Sequence, residues 1–538
     1  LHLGVQHAIL PQLTSPAMLS TPPPASSTLP TPADVEKTAG TPQRVNTAIG
    51  SPSSDADYLP RASDDSERLP IWKKLSAAGV EHRGSRPVPV ELRTDTNYFN
   101  IFTTMCTPML SILPIGTGIV PAQVFKLSLL NSFLLIFFFS FVFTAPAAYM
   151  ITVAPLTGMR QMLQSRYSYG YWPNVVVTFL TMITVGGFSV IACSIGSQCL
   201  VALSEGKVPQ EVAILLIIAP AMGIAFFGLD TIHQYLRWGW VPTLFAIFCI
   251  IGYGAPGLKL QHETPPPTVY NVFSMVALMA GYMVSWANVV GDYAIYMPPS
   301  TPKWRLFTYC LLGLCLPITA MLTLGCAIGG AIDANPTWLA EYEKYSIGGA
   351  LSAILSRGGG FGKFVLVLLT FSVIGTTSRD MYSISVDFHV LIPRAYRVPR
   401  VVWVLVTGGA IIGVAIGAIH AFYAALTNFI NFIGYWAACY TSVIVLEFWW
   451  FRDGSGASFD HAIWKDPTRL PYGWAAVAAS VVPWAMVVPC MDQTWYTGPI
   501  AKKTGDLGFE VALVLACLIY VPARKWEIKR SGGHVNRG

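Results

Sequence analysis

The stretch "GYMVSWANVVGDYAIYMPPSTPKW", Gly281 to Trp304, decides the fold. It is apolar enough to enter a bilayer, yet it carries Asn288 and Asp292, with Gly281 and Gly291 around them, and ends in prolines. Lipid offers no partner to a polar side chain or an unpaired peptide group. Such residues inside a span have two readings. One is a kinked packing helix. The other is a helix interrupted so that freed N–H and C=O groups can hold a solute or an ion at mid-membrane.

The rest of the chain supports a membrane setting. Of its 538 residues, 53% are hydrophobic and only 12% charged, and the mean hydropathy is +0.52. Hydrophobic runs of around twenty residues recur along most of the length, the sign of an all-α polytopic membrane protein. In lipid each backbone polar group must be paired internally, so the runs read as helices. The formal charge of +6 does not suggest nucleic acid, because the basic residues sit between the runs. Most of the ten cysteines, such as Cys193, Cys310 and Cys439, fall inside apolar runs. They read as small buried hydrophobes and not as a disulfide framework. No CxxC or histidine cluster suggests a metal, and no cofactor is implied.

The N-terminal part differs. Residues 1–71 are rich in Pro, Ser and Thr, without a period, and are expected to be a disordered cytoplasmic tail. Ser15, Thr31, Thr41 and Ser51 each precede a proline, as phosphorylation sites do, although an unmodified tail fits equally well. The opening "LHLGVQHAIL" lacks the basic start and long apolar core of a signal peptide. A lead-in over 72–98, a twelve-helix domain over 99–530 and a short cytoplasmic tail over 531–538 complete the expected organisation.

About twelve spans can be read from the apolar runs. They begin near Asn100, Phe125, Trp172, Val208, Trp238, Tyr270, Phe307, Phe361, Val401, Ala424, Trp474 and Gly508. One set of loops carries Arg160, Arg166, Arg237, Lys303, Arg394, Arg397, Arg452 and Arg524, among others. It outweighs the opposite set roughly two to one in basic residues, so it is expected to face the cytoplasm with both termini. The first span, "NIFTTMCTPMLSILPIGTGIVP", is interrupted by Pro108, Pro114, Gly116 and Gly118 and made polar by Thr103, Thr104, Thr107 and Ser111. Interruptions in the first and sixth spans, five apart, fit an inverted-repeat transporter.

Longer motifs sharpen this. "SWANVVGDYAIYMPPSTPKWRLF" resembles the Trp–x(5)–Asp-Tyr–x–x–Tyr–x-Pro signature of fungal purine-cytosine permeases in the nucleobase-cation-symport-1 family. "APLTGMRQMLQSRYSYGYWPN" (154–174), "FFGLDTIHQYLRWGWVP" (226–242) and "LTNFINFIGYWAACYTSVIVLEFWWFR" (426–452) are similar to family segments in the same order. The resemblance runs from roughly Trp72 to Arg530. It implies two five-helix inverted repeats plus two extra helices, and proton-driven uptake of nucleobases at the plasma membrane.

The departures from the family pattern are informative. Phe188 stands where the third span has Trp, and Ala192 where it has Asn. Leu236 replaces a fifth-span Glu linked to transport in the family. Thr376 and Thr377 occupy the place of an Asn pair in the eighth span, followed by Arg379 and Asp380. Trp286 and Asn428 survive. A phenyl ring still stacks on a planar solute, but Ala192 cannot hydrogen-bond a base edge.

The expected substrate-binding residues are therefore Trp286, Asn288, Phe188, Thr376, Thr377, Asn428 and Thr104. Trp286 reads as an aromatic platform or as interhelical packing. Asn288 reads as a ligand contact or a helix–helix hydrogen bond. Asp292 and Asp380 are the candidates for proton coupling, although a salt bridge or helix cap fits Asp292 as well. Arg379 and Asp380, being adjacent on a helix, are expected each to pair with something else, and Asp387 lies on nearly the same face as Asp380. Glu447 is expected to pair with Arg452 or a loop arginine. The reading is a secondary transporter, not an enzyme, whose partners are a nucleobase-like heterocycle, protons and the lipid bilayer. Relatives that carry pyridoxine, and a nutrient sensor built on a transporter fold, are the alternatives.

Overall fold

The computed structural model describes residues 85–537, except 393–394, 396–397, 420–421 and 455. The expected disordered tail, the first part of the lead-in, Arg394 and Arg397 lie outside the described residues. Among the described residues nine helices are long and apolar enough to cross a bilayer, and a bent pair makes ten. The apolar Trp474–Cys490 segment and the 23-residue helix Gly508–Arg530 complete a set of twelve. The protein is a helical multi-pass membrane protein.

The first span is two helices, Tyr98–Met109 and Ile112–Gln123, bent by 51°. The sixth is regular only over Val269–Val284 and continues as tight 3-10 turns, Ser285–Asn288 and Val290–Tyr293. The eighth is split into Gly359–Thr370 and Val373–Leu391. The breaks support one another: Ser372, at the eighth-span break, accepts a hydrogen bond from the Ile112 N–H at the first, 3.1 Å. A helix start at mid-membrane leaves orphan N–H groups, and this hydroxyl satisfies one of them.

The glycines expected to interrupt the spans do something else. A Cβ on Gly281 would lie 2.2 Å from the Ile430 carbonyl oxygen, and one on Gly118 2.3 Å from that of Leu322. Both sit inside regular helix, where they let neighbouring backbones touch, as small residues do in membrane helices. The breaks come instead at Leu110–Ser111 and after Val284. One helix absent from the sequence reading, Pro336–Leu355, fills the connection between the seventh and eighth spans. It carries Glu341, Glu343 and Lys344, which dilute its apolar signal.

Packing sorts the spans into two groups. The first span lies along the seventh, Lys303–Ile332; the second, Leu129–Met150, packs on the sixth and seventh. The third, Pro173–Leu203, and the fourth, Gln210–Phe227, pack on the second half of the eighth, as does the ninth, Arg400–Gly417. The tenth, Phe422–Leu446, joins the sixth to the twelfth. Spans one and two thus correspond to six and seven, and three and four to eight and nine, as expected for two five-helix repeats.

The arginine-rich loops meet at one end. Arg166 donates to the Trp464 and Val390 carbonyls, Arg400 to those of Ala225 and Phe226, and Arg93 to those of Val88, Pro155 and Thr157. The C-terminal segment belongs to this end rather than hanging free. Arg537 donates to the Leu470 carbonyl at 2.6 Å and lies over the Tyr472 ring.

Candidate functional site

Between the two groups lies a narrow cleft with about 30 Å³ of space open to water. Four spans wall it, in two pairs five apart. Met109 and Leu113 flank the first-span break, and Thr184, Val185 and Phe188 come from the third span. Tyr282, Ser285, Trp286 and Val289 come from the sixth, and Thr376, Arg379 and Asp380 from the eighth.

Trp286 and Phe188 give the cleft its aromatic faces. The Arg379 guanidinium carbon lies 4.3 Å from the Trp286 ring centroid, a cation–π contact. Trp286 is thus both a wall and a seat for the arginine. Phe188 is held edge-on by Tyr282 and Phe429, with centroids 5.5 and 5.7 Å away. A Cβ on Gly187 would strike the Phe429 ring at 1.9 Å, so that glycine lets Phe429 close behind Phe188.

The charged pair corrects the sequence expectation. Arg379 and Asp380 bind each other, through Nε at 3.0 Å and Nη2 at 2.5 Å to Oδ1. Adjacent Cβ atoms do diverge on a helix, but the arginine stem is long enough to curl its guanidinium back. Ser189 of the third span donates to Asp380 Oδ2 at 2.9 Å. Arg379 Nη1 and Thr376 Oγ1 have no hydrogen-bond partner.

The other predicted residues lie elsewhere. Asp292 accepts from the Gln161 backbone N–H at 2.8 Å and stands 4.0 Å from Arg160 Nη1. It pins the turn after the sixth span to the loop before the third. A Cβ on Gly291 would meet Gln161 Oε1 at 2.5 Å, so a larger residue there would push the Gln161 amide aside. Asp387 is buried near Asp292 and Arg160, outside the cleft wall. Thr377 meets Cys193 Sγ at 3.5 Å. Asn428 is bonded to Thr494, through Nδ2 at 2.5 Å and Oδ1 at 2.8 Å, beside the hairpin Asp492–Gln493/Tyr496–Thr497. Thr104 is buried in the first span without reaching the cleft. Asn288 is fully buried beside the cleft, with both amide atoms unpartnered.

Sequence reasoning missed Tyr282, Ser285, Val289 and Ser189. The first three had a signal. With Trp286 they fall at i, i+3, i+4 and i+7, one face of a helical turn. Ser189 had none, because only the crossing of the third and eighth spans brings it to Asp380.

Comparison with known proteins agrees with this geometry. Residues 87–512 match the family described as permease for cytosine/purines, uracil, thiamine, allantoin. The purine-cytosine permease fcyB of Emericella nidulans is 30% identical over 475 residues, covering 87% of this chain and 93% of that protein. The purine-cytosine permease FCY2 of Saccharomyces cerevisiae is 30% identical over 491 residues, covering 88% and 91%. The vitamin B6 transporter TPN1 of Saccharomyces cerevisiae is 28% identical, covering 72% and 76%. In fold, the chain is similar to Mhp1, a nucleobase-cation-symport-1 family transporter solved closed with bromovinylhydantoin bound. The TM-score is 0.65 at 15% identity, covering 84% of this chain and 96% of that one. The inward-facing conformation of Mhp1 gives 0.62 at 13% identity, covering 85% and 97%. The chain belongs to the cytosine and purine permease family and is a multi-pass membrane transporter.

Proposed function

We propose that this transporter imports a small planar nitrogen heterocycle of the nucleobase type, by proton symport with alternating access. The observation that carries the reading is the cleft between the two packed groups, with Trp286 and Phe188 as faces and Arg379–Asp380 in its wall. Rocking of one group against the other would open it to either side. Thr376 contributes a hydroxyl, while Asn288, Thr377, Asn428 and Thr104 act around the cleft rather than in its wall. Asp380 is the proton carrier, because it is the one carboxylate in that wall, and Asp292 is a structural clamp. The basic bias of the loops supports cytoplasmic termini, and relatives of this kind support a plasma-membrane location.

The test is uptake of labelled cytosine, uracil, adenine and hypoxanthine in yeast lacking its own nucleobase permeases, with and without a proton uncoupler. Uncoupler-sensitive uptake is expected. Uptake indifferent to pH and uncoupler would replace symport by facilitated diffusion or another ion. Pyridoxine belongs in the panel, because a vitamin B6 transporter is among the relatives and the third span lacks an amide at Ala192. Binding of any of these without uptake would instead support a sensor.

A further inference from the structure

The cleft wall is unequal in what it offers a ligand. On the donor side, Arg379 spends Nε and Nη2 on Asp380 and keeps Nη1 unspent. The hydroxyls of Thr376 and Tyr282 are also without partners. All three side chains are buried. On the acceptor side, the strong group is mostly taken. Asp380 Oδ1 receives both Arg379 bonds, and Oδ2 receives Ser189. What remains is one lone pair of Asp380 Oδ2 and the neutral hydroxyl oxygens of Thr376, Tyr282, Ser285 and Thr184, the last two having given their protons to the Tyr282 and Leu180 carbonyls.

A buried cationic donor left unpaired is costly, and a ligand that satisfies it gains a charge-assisted hydrogen bond. A ring carbonyl or anionic ring oxygen does so. An exocyclic amino group cannot, and it leaves the cationic donor unpaired whatever acceptor it finds. We infer that the cleft reads its heterocycle through an oxo edge held by Arg379 Nη1, so that oxo-heterocycles are preferred to their amino counterparts. This rests on the transport reading above. Arg379 is then a specificity residue, held flat by Trp286 and aimed by Asp380.

Two matched pairs test the choice: uracil against cytosine, and hypoxanthine against adenine, each exchanging an oxo group and its neighbouring ring N–H for an amino group and a bare ring nitrogen; cytosine keeps its 2-oxo group, so the purine pair is the stricter one. Competition against uptake of one labelled member should favour the oxo member by about tenfold or more, the worth of a hydrogen bond to a charged group. The double variant Arg379→Gln/Asp380→Asn exchanges the ion pair for a neutral amide pair and leaves no buried charge alone. In it, the oxo-to-amino ratio should collapse towards one, and because it is a ratio, a slower transport rate cancels. Surface level is read from a fluorescent tag. Equal or reversed preference in the unaltered protein overturns the inference, whether or not the variant reaches the membrane. So does an unchanged ratio in a well-expressed variant. Uptake with the amino members favoured would leave the transport reading intact, whereas uptake of none of the four would remove both.

Discussion

Two buried arginine–carboxylate clusters can be set side by side. At the arginine-rich end, Glu447 accepts from Arg452 at 3.0 Å, from Arg524 at 2.9 and 2.6 Å, and from the Tyr520 hydroxyl at 2.7 Å. The spare donors of Arg452 go to the Ser458 and Tyr167 carbonyls and to Asn536. Those of Arg524 go to Glu527 and the Val535 carbonyl, and Glu527 accepts from the Gly473 N–H. In the cleft, Arg379 and Asp380 are as deeply buried but leave a donor open. Burial of charge is common to both, so it does not mark a site. Unspent hydrogen-bonding capacity facing a cavity does. The first cluster staples the tenth and twelfth spans and the C-terminal segment; the second is poised to take a ligand.

The largest expected effect breaks the staple. Glu447→Ala leaves the buried Arg452 guanidinium without a carboxylate and Arg524 with Glu527 alone, which costs about 3–5 kcal/mol. Little folded protein should reach the membrane, as read by surface fluorescence and by thermal melting in detergent. Normal surface level would mean that the cluster is not structural.

In the cleft, Trp286→Ala should leave surface level intact and weaken substrate. Base–aromatic stacking is worth about 1–3 kcal/mol, roughly tenfold to a hundredfold in affinity. The variant also unseats Arg379, so the oxo-to-amino preference should fall with it. Unchanged uptake kinetics would remove Trp286 from the site.

The same comparison divides the two candidate carboxylates. Asp380→Asn keeps the shape and removes the proton, so the pH dependence of uptake should flatten; it also leaves Arg379 buried without its carboxylate, so surface level should fall. Asp292→Asn loosens a clamp, so it should lower surface level and leave the pH profile of the remaining uptake unchanged. The opposite pattern of pH profiles would exchange their roles.

How much of this was legible beforehand follows from the range of each interaction. The spans are written in local hydropathy, and the broken first and sixth spans in their prolines and polar residues. Trp286 carried a motif. Asn428 carried one too, yet it is tied to Thr494, because a motif gives identity and not direction. Gly118 and Gly281 looked like interruptions because closeness to Leu322 and Ile430 depends on helix crossings that no local pattern encodes. The Arg379–Asp380 pair was misjudged for a different reason. The backbone rule about adjacent residues holds for Cβ atoms, and the arginine stem escapes it.

A smaller effect concerns the end of the protein opposite the staple. Asp506, in the loop before the twelfth span, accepts from Tyr435, from Asn431 at 3.3 Å and from the Gly508 N–H at 2.9 Å. Burial raises its carboxyl to about 6 in spite of these donors. An unfolded Asp titrates near about 4. Between those values the folded state keeps a proton that the unfolded state has released. The stability this contributes is therefore lost as pH rises through the window, on the order of 3 kcal/mol. Asp506→Asn should melt with a weaker pH dependence between pH 4.5 and 7.5, and its gain over the unaltered protein should be largest at pH 7.5. Parallel melting profiles would show that Asp506 does not titrate there.

The smallest effect concerns the third span, where Phe188 and Ala192 depart from the family pattern. Phe188→Trp enlarges a ring already held between Tyr282 and Phe429. The indole adds stacking area towards the cleft, and its extra bulk costs something against those two rings. The terms oppose, so affinity for a heterocycle should rise by a few-fold at most, on the scale of an aromatic pair worth about 0.5–1.5 kcal/mol. Ala192→Asn is different. Ala192 is fully buried and does not line the cleft, so the amide arrives without room. Overpacking of this kind costs about 1–3 kcal/mol. The single Trp variant should therefore outperform the double variant in both surface level and uptake. If the double variant instead gains cytosine affinity beyond the single one, the third span must turn that face towards the substrate during transport. Arg379 would then share base recognition with the new amide, and the preference for oxo-heterocycles should weaken in the same protein.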